Sequence, residues 1–162
     1  MSLKFKKILG ILAVAGGIFL SPIFSKADEN KPTNSFGNFG LGFEVGDPGS
    51  WGVSGKFWVD RTIAFQPAVK FGNTNPVLQL DCLLHNFNMG DQMPIYIGLG
   101  ANLMLQNPTV FAGRVPLGIS YLFDKRDFPV DLYLQAVPTL WFFNASLTTF
   151  NVYGELGAHI YL

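Results

Sequence analysis

The sequence predicts an all-β protein that folds as an eight-stranded antiparallel up-and-down transmembrane β-barrel. Three observations support this fold class. Apolar and polar residues alternate with a period of two, in segments of about ten residues separated by turn residues. Charged residues make up only 14% of the 162 residues, while aromatic residues reach 15%. The chain also begins with a segment typical of exported proteins.

The N-terminal segment, residues 1–27, has the layout of a cleavable signal peptide. Three lysines precede an uncharged apolar run over residues 8–20, and small residues at positions 25 and 27 predict cleavage after Ala27. The run is short for a membrane-anchoring helix, which is the alternative interpretation. Cleavage would leave a mature chain with a formal charge of −4, made up of a short periplasmic tail, residues 28–36, and an outer-membrane barrel domain, residues 37–162.

The first four predicted strands are defined by alternation and by the turns between them. Residues 39–45 alternate Phe, Leu, Phe and Val with Gly and Glu, and a Gly-Asp-Pro-Gly turn follows. Residues 53–59 form the second strand, which reverses through Asp-Arg-Thr into residues 63–71. A Gly-Asn-Thr-Asn-Pro segment then leads to residues 78–85, where mainly leucines alternate with Gln, Asp and His.

The last four predicted strands repeat the pattern. Residues 94 to about 105 place Ile, Leu and Ala on one face, and residues 110 to about 122 carry one arginine among apolar partners. Residues 130 to about 140 alternate Val and Leu with Asp, Tyr and Gln. The strand over 150–162 is the clearest, because every even position is apolar or small.

The polarity of the two strand faces separates a membrane barrel from a soluble one. A soluble barrel would carry many Lys and Glu residues on its outer face. Here one face is almost uninterruptedly apolar, and the other is small, aromatic and thinly charged. This favours a lipid-facing exterior around a polar interior, and closure satisfies every backbone group in lipid. The alternative is a soluble periplasmic or secreted barrel that carries an apolar ligand.

Three segments resemble a known family. They are Ser-Gly-Lys-Phe-Trp at 54–58, Asp-Cys-Leu-Leu-His-Asn-Phe at 81–87 and Arg-Val-Pro-Leu-Gly-Ile-Ser-Tyr-Leu-Phe at 114–123. They are similar to small bacterial outer-membrane proteins, the OmpA-like and OmpX-like eight-stranded barrels, which include spirochaete members and mostly lack an assigned function. The resemblance covers the mature chain and implies the fold and an outer-membrane location, with the export and barrel-assembly machinery as partners. It implies no catalytic residues.

Strand parity directs six charged residues into the predicted barrel. An unpaired buried charge is very costly, so three cations and three anions in a narrow interior should pair with one another. We expect an interior ion-pair network that plugs the barrel, and no wide pore, because eight strands enclose only enough space for side chains. A gated low-conductance channel, opened by re-pairing of these charges, is the alternative. The six residues are Glu44, Lys56, Lys70, Asp81, Arg114 and Glu155.

The sequence predicts neither an enzyme nor a metal or cofactor site. Catalysis by a serine needs a nucleophile, a base and an acid in contact, whereas Asp81 and His85 are roughly 13 Å apart along their strand and no serine lies in a Gly-x-Ser-x-Gly setting. His85 and His159 are far apart and the lone Cys82 falls on the expected lipid face, so these residues form no metal-ligand cluster. A chain without a basic excess is also not expected to bind nucleic acid.

Aromatic residues near the strand ends predict two interfacial belts, as in other membrane barrels. The outward connections, near 46–50, 72–76, 106–109 and 141–148, are short, so they point to no particular extracellular ligand or host partner. A monomer with a structural envelope or surface role is the simplest expectation. The belt residues are Trp51, Trp58, Tyr121, Tyr133, Trp141, Phe142 and Phe143.

Overall fold

The computed structural model describes six stretches of the chain, namely residues 38–46, 50–72, 75–87, 92–123, 129–144 and 147–162. The chain divides into two units, residues 1–31 and 32–162, and every described residue belongs to the second. The predicted signal peptide, its cleavage after Ala27 and the tail over 28–36 therefore lie outside the described residues.

The described residues form nine β-strand segments in a single antiparallel sheet. β6 and β7 both pair with β5 and β8 in one continuous register, so they are two halves of one barrel strand. The break falls at Val115 and Pro116, because proline has no N–H to donate to a ladder. The segments are β1 (Phe39–Gly46), β2 (Ser50–Trp58), β3 (Ile63–Phe71), β4 (Pro76–Asn86), β5 (Ile95–Met104), β6 (Val110–Arg114), β7 (Leu117–Phe123), β8 (Val130–Asn144) and β9 (Leu147–Tyr161).

The sheet closes on itself, because β1 pairs with both β2 and β9. The fold is therefore a closed antiparallel barrel of eight strands, and the predicted all-β barrel is confirmed in its strand number and topology. Both ends of the barrel chain lie at one end of the barrel, where the Leu162 N–H donates to the Phe39 carbonyl over 3.0 Å. Within the described ranges, no helix is long and apolar enough to cross a membrane.

The strands are staggered around the barrel. Following the paired positions once around the wall returns to β1 displaced by ten residues, so the strands tilt strongly against the barrel axis. At the end away from the termini, β8 and β9 reach furthest, with 15 residues each. The prediction of a loop over 141–148 was therefore wrong for most of these residues. Trp141 pairs with Thr149, and Phe142 pairs with Thr148, inside the β8–β9 hairpin.

Alternation along the strands separates a polar interior from an apolar exterior. The large exposed side chains include Leu99, Leu134 and Val152, which are 71%, 58% and 60% exposed. All seven charged residues of the described strands point inward, and each is at most 3% exposed. They are Glu44, Lys56, Lys70, Asp81, Arg114, Asp131 and Glu155.

Apolar side chains close the interior above and below the charges. Trp58, Ala64 and Tyr161 pack together at the end that holds the termini, with Phe87 against them. A second group, Val110, Ala112 and Trp141, packs at the opposite end, with Met104 against it. The charged side chains therefore lie in a middle layer that these two groups shield from water.

Candidate functional site: the interior ion-pair network

Arg114 is the most heavily bonded cation of the interior. It stands at the last position of β6, and its guanidinium reaches strands on both sides of the barrel. Its Nε lies 3.1 Å from Asp81 Oδ1, and its Nη2 lies 2.6 Å from Glu155 Oε2. Nη1 donates to Gln79 Oε1 over 2.6 Å. A planar fork of donors suits this task, because one arginine can hold two carboxylates from different strands.

Lys70 joins the same cluster from β3. Its Nζ lies 2.5 Å from Glu155 Oε1 and 3.4 Å from Glu44 Oε1. Glu44 also accepts a hydrogen bond from the Tyr133 hydroxyl over 2.7 Å, and Glu155 accepts one from Gln135 Nε2 over 2.5 Å. The larger cluster thus contains three carboxylates and two cations, and neutral donors add hydrogen bonds to Glu44 and Glu155.

A smaller cluster lies nearer the termini. Lys56 Nζ lies 2.7 Å from Asp131 Oδ2, and both side chains are completely buried. The Tyr161 hydroxyl donates to the same oxygen over 3.3 Å and accepts from Trp58 Nε1 over 3.0 Å. The Lys56 ammonium also lies 4.9 Å from the centre of the Trp58 ring, where a cation–π contact is favourable.

Ser54, His159 and Asp131 stand in the order of a nucleophile, a base and an acid. Ser54 Oγ lies 3.0 Å from His159 Nε2, and His159 Nδ1 lies 3.8 Å from Asp131 Oδ2. Three features distinguish this group from a working triad. Ser54 is only 4% exposed, so a substrate has to displace interior side chains to reach it. Asp131 is already paired with Lys56, and Tyr133 stacks on the His159 ring at 5.2 Å.

The second histidine, His85, packs among aromatic rings near the termini. Its ring centre lies 4.4 Å from that of Trp58 and 5.0 Å from that of Tyr96. Cys82, three residues earlier, points outward and is a free thiol. In the part of the chain that the structure describes, no group of three His, Cys, Asp or Glu side chains is arranged to hold a metal ion.

Glycines make room for the network at two points of close approach. A Cβ at Gly100 would overlap the carboxylate of Asp81, on the paired position of β4. A Cβ at Gly157 would overlap the ring and hydroxyl of Tyr133, on the paired position of β8. These glycines let a carboxylate and a phenol lie flat against the neighbouring strand, which a narrow barrel requires.

The six charged residues predicted to face inward all lie inside the barrel. Ion pairs bring five of them into the larger cluster: Glu44, Lys70, Asp81, Arg114 and Glu155. The sixth, Lys56, pairs instead with Asp131, which was not among the predicted members of the network. The signal for Asp131 was present, because it shares the polar face of its strand with Tyr133 and Gln135. His159 was also not predicted as a member, although it lies on the polar face of the last strand.

Three of the predicted interfacial aromatics are corrected by the structure. Trp58, Tyr133 and Trp141 are at most 8% exposed and point into the barrel, because they share strand parity with the interior residues. Their polar atoms bond to interior partners, as when Trp141 Nε1 donates to the Tyr153 hydroxyl over 3.2 Å. Trp51, Tyr121 and Phe142 do lie outward and are 48%, 39% and 40% exposed. The structure describes the backbone of Phe143 and not its side chain, so its place in the belt stays a prediction.

Comparisons of the chain with models of known protein families, with curated proteins and with solved structures found no match. The likeness of three segments to small outer-membrane barrels therefore stays a sequence-based prediction. The polar inner face and the apolar outer face of the wall are the features that bear on function.

Proposed function

We propose that this protein is an integral outer-membrane β-barrel with a structural envelope or surface role and no enzymatic activity. Its interior is plugged by the ion-pair network, and no wide pore runs through it. Export by a cleaved signal peptide and insertion by the barrel-assembly machinery are parts of the same proposal. They are supported by the basic and then apolar composition of residues 1–27.

The observation that carries the proposal is the polarity of the wall. No charged residue of the described strands faces outward, and all seven face inward. A wall in water gains nothing from this arrangement, because large exposed apolar patches favour aggregation. A wall in lipid gains from it on both sides, since lipid accepts the apolar face and the interior offers partners to the charges.

Two rival functions fit the interior less well. A soluble carrier of an apolar ligand needs an apolar cavity, whereas the middle of this barrel holds Arg114, Lys70, Lys56 and their carboxylate partners. A gated channel would have to break the bonds between Arg114 and two carboxylates. Planar-bilayer recording of the wild type and of Arg114→Ala tests the gated channel. Near-zero conductance in both proteins would argue against a gate.

The membrane proposal is tested by placing one charge on the outer face. Leu99, near the middle of β5, is 71% exposed. In a bilayer, Leu99→Arg should cost about 2–4 kcal/mol of stability, and the protein should lose heat-modifiable migration on gels and its recovery in the outer-membrane fraction. Leu105→Arg is the matched control, because Leu105 lies just beyond the end of the same strand and is 43% exposed. Near the interface the same change costs only about 0–1 kcal/mol.

The soluble alternative makes the opposite prediction. An arginine on a water-facing wall should improve solubility and leave folding intact, so equal stability of both arginine variants would count against the membrane proposal. Recovery of the wild-type protein in the periplasmic fraction without detergent would overturn it directly.

A further inference from the structure

The charges inside the described barrel do not balance. The six interior residues predicted from the sequence are three cations and three anions, but the strands also bury a fourth anion, Asp131. Four carboxyl groups therefore accompany three lysine and arginine side chains, and each of the seven is at most 3% exposed. A surplus charge held away from water is very costly, so the interior needs one more positive charge.

The smaller cluster is neutral without any addition. Lys56 Nζ lies 2.7 Å from Asp131 Oδ2, so this pair holds one charge of each sign. Lys56 is also the charge that acts most strongly on His85, and His159 Nδ1 lies 3.8 Å from Asp131 Oδ2, which is beyond hydrogen-bond distance. A proton on either histidine ring would add a second cation beside Lys56. The missing positive charge therefore belongs to the larger cluster.

Both cations of the larger cluster bind most closely to the same carboxylate. Glu155 accepts hydrogen bonds from Lys70 Nζ over 2.5 Å and from Arg114 Nη2 over 2.6 Å. Lys70 Nζ lies farther from Glu44 Oε1, at 3.4 Å. Arg114 Nε lies 3.1 Å from Asp81 Oδ1 without hydrogen-bond geometry. Among the described residues, Glu44 Oε1 and Asp81 Oδ1 are thus buried oxygens with no hydrogen-bond donor.

The other close partners of these two carboxyl groups are neutral. Tyr133 donates to Glu44 Oε2 over 2.7 Å, and Gln79 Nε2 donates to Asp81 Oδ2 over 3.0 Å. Neutral donors leave the surplus negative charge in place. Apart from one another, the two carboxyl groups face charged or titratable side chains from five strands. They are Lys70 on β3, Tyr96 on β5, Arg114 on β6, Tyr133 on β8, and Glu155 and His159 on β9.

We propose that Glu44 and Asp81 hold one proton between them at neutral pH. The larger cluster then contains two carboxylates, one neutral carboxyl group and two cations, and the interior is neutral. Because the two groups interact, the proton belongs to the pair and to neither residue alone. A hydroxyl accepts as well as donates, so Tyr133 can take a hydrogen bond from a protonated Glu44. The proposal concerns the interior only and does not depend on the membrane function proposed above.

The bound proton links the stability of the barrel to pH. Carboxyl groups of an unfolded chain titrate near pH 4, so between about pH 5.5 and 6.5 the folded protein binds one proton more than the unfolded chain. Its contribution to stability falls as the pH rises, and the unfolding equilibrium constant increases about tenfold per pH unit from this source. The histidines titrate in the same range, so the wild type is compared with variants that retain both of them.

Glu44→Gln and Asp81→Asn each introduce the amide that resembles the protonated acid. In either variant the remaining carboxyl group ionises and no proton is bound. The ratio of the wild-type unfolding constant to that of either variant should therefore rise about tenfold from pH 5.5 to 6.5, measured by urea unfolding in detergent. A ratio independent of pH would overturn the proposal. A constant ratio, together with wild-type stability that increases with sodium concentration at fixed ionic strength, would overturn it in favour of a bound metal cation.

Asp131→Asn is the matched control, because it makes the same chemical change in the smaller cluster. Its ratio to the wild type should stay within about twofold over this pH interval, and a tenfold change would place the proton beside Lys56 and overturn the proposal. The double variant Glu44→Gln/Asp81→Asn leaves both cations with Glu155 alone. Its unfolding constant should be at least about tenfold larger than that of either single variant. Equal constants would mean that the remaining carboxyl group is not ionised, and would also overturn it.

Infrared spectroscopy detects the proton in the folded protein without any unfolding. The wild-type barrel in heavy water at neutral pH should show the C=O stretching band of a protonated carboxyl group. Glu44→Gln and Asp81→Asn should both lack this band. A wild-type spectrum without it, or a band that persists in both variants, would overturn the proposal. Neither result bears on the membrane test at Leu99, which concerns the outer face.

Discussion

The inner and outer faces of the barrel wall are built from the same strands and follow opposite rules. On β5, Asn102 points inward and is 4% exposed, whereas Leu99 on the other face is 71% exposed. On β8, Asp131 is completely buried and its neighbour Leu132 is 42% exposed. Neighbouring residues one position apart thus meet different surroundings, because successive side chains of a strand point to opposite faces.

This contrast between the two faces shows that the side chains buried inside the barrel are largely polar and charged. Moving a charge out of water costs several kcal/mol, and the cost is offset only when partners with good geometry are present. The inner face meets this condition with arginine, lysine, amide and phenol donors around four carboxylates. The outer face has no such partners, and its described strands carry no charge. Matched substitutions on the two faces test this contrast.

The largest effect is expected at Arg114. Arg114→Met removes the cation that pairs with Asp81 and leaves Glu155 with Lys70, and it should lower the free energy of unfolding by about 3–5 kcal/mol. Leu134→Met on the outer face, where the side chain is 58% exposed, conserves volume and should cost less than about 1.5 kcal/mol. Urea unfolding of the detergent-solubilised proteins, followed by tryptophan fluorescence, measures both. Equal losses would show that the network adds no stability beyond packing.

A smaller effect is expected from a methyl group at two glycines. Gly100→Ala places a Cβ against the Asp81 carboxylate and the Leu80 carbonyl, and should cost about 2 kcal/mol through overpacking. Gly113→Ala adds its methyl where nothing lies within 4 Å, and should be neutral or slightly stabilising. The same unfolding titration compares them. A stable Gly100→Ala variant would mean that Asp81 can move away from Arg114 without loss.

Removal of one hydroxyl from each face should have a still smaller effect. Tyr133→Phe deletes the hydrogen bond to Glu44 and should cost about 1.5 kcal/mol, because the acceptor is a carboxylate. Tyr121→Phe, on the outer face, should change stability by less than about 0.5 kcal/mol. The unfolding midpoints of the two variants are compared. Identical midpoints would mean that the Tyr133 hydroxyl does not stabilise the network.

The smallest effect is expected at the serines, where two inward positions are compared. Ser54→Ala deletes the bond to His159 and should cost about 1 kcal/mol. Ser120 Oγ has no hydrogen-bond partner in the described part of the chain, so Ser120→Ala should be neutral or stabilising. Neither serine should react with a fluorophosphonate probe. Labelling of wild-type Ser54, detected by mass spectrometry, would contradict the non-enzymatic proposal.

Most of the fold could be predicted from the alternation of apolar and polar residues along the strands. The errors arose where aromatic residue type was used in place of strand face. Parity directed Glu44 and Arg114 inward, and they lie inside. Parity also directed Trp58 and Tyr133 inward, but their aromatic character and position near strand ends suggested an interfacial belt instead. The hydrogen bonds of their polar atoms to Tyr161 and Glu44 explain why the interior accepts them. Aromatic type was a weaker guide than strand face.

The strand number, the antiparallel order and the sharing of strand faces all follow from the pattern of residues along the chain. Each of these depends on local alternation and on turns between neighbouring segments. Which charges meet depends on the folded barrel, because the pairing of Lys56 with Asp131 and of Arg114 with Glu155 crosses the interior between strands that are not neighbours. The folded barrel also sets the ten-residue stagger, since register accumulates around the closed wall and no single hairpin contains it.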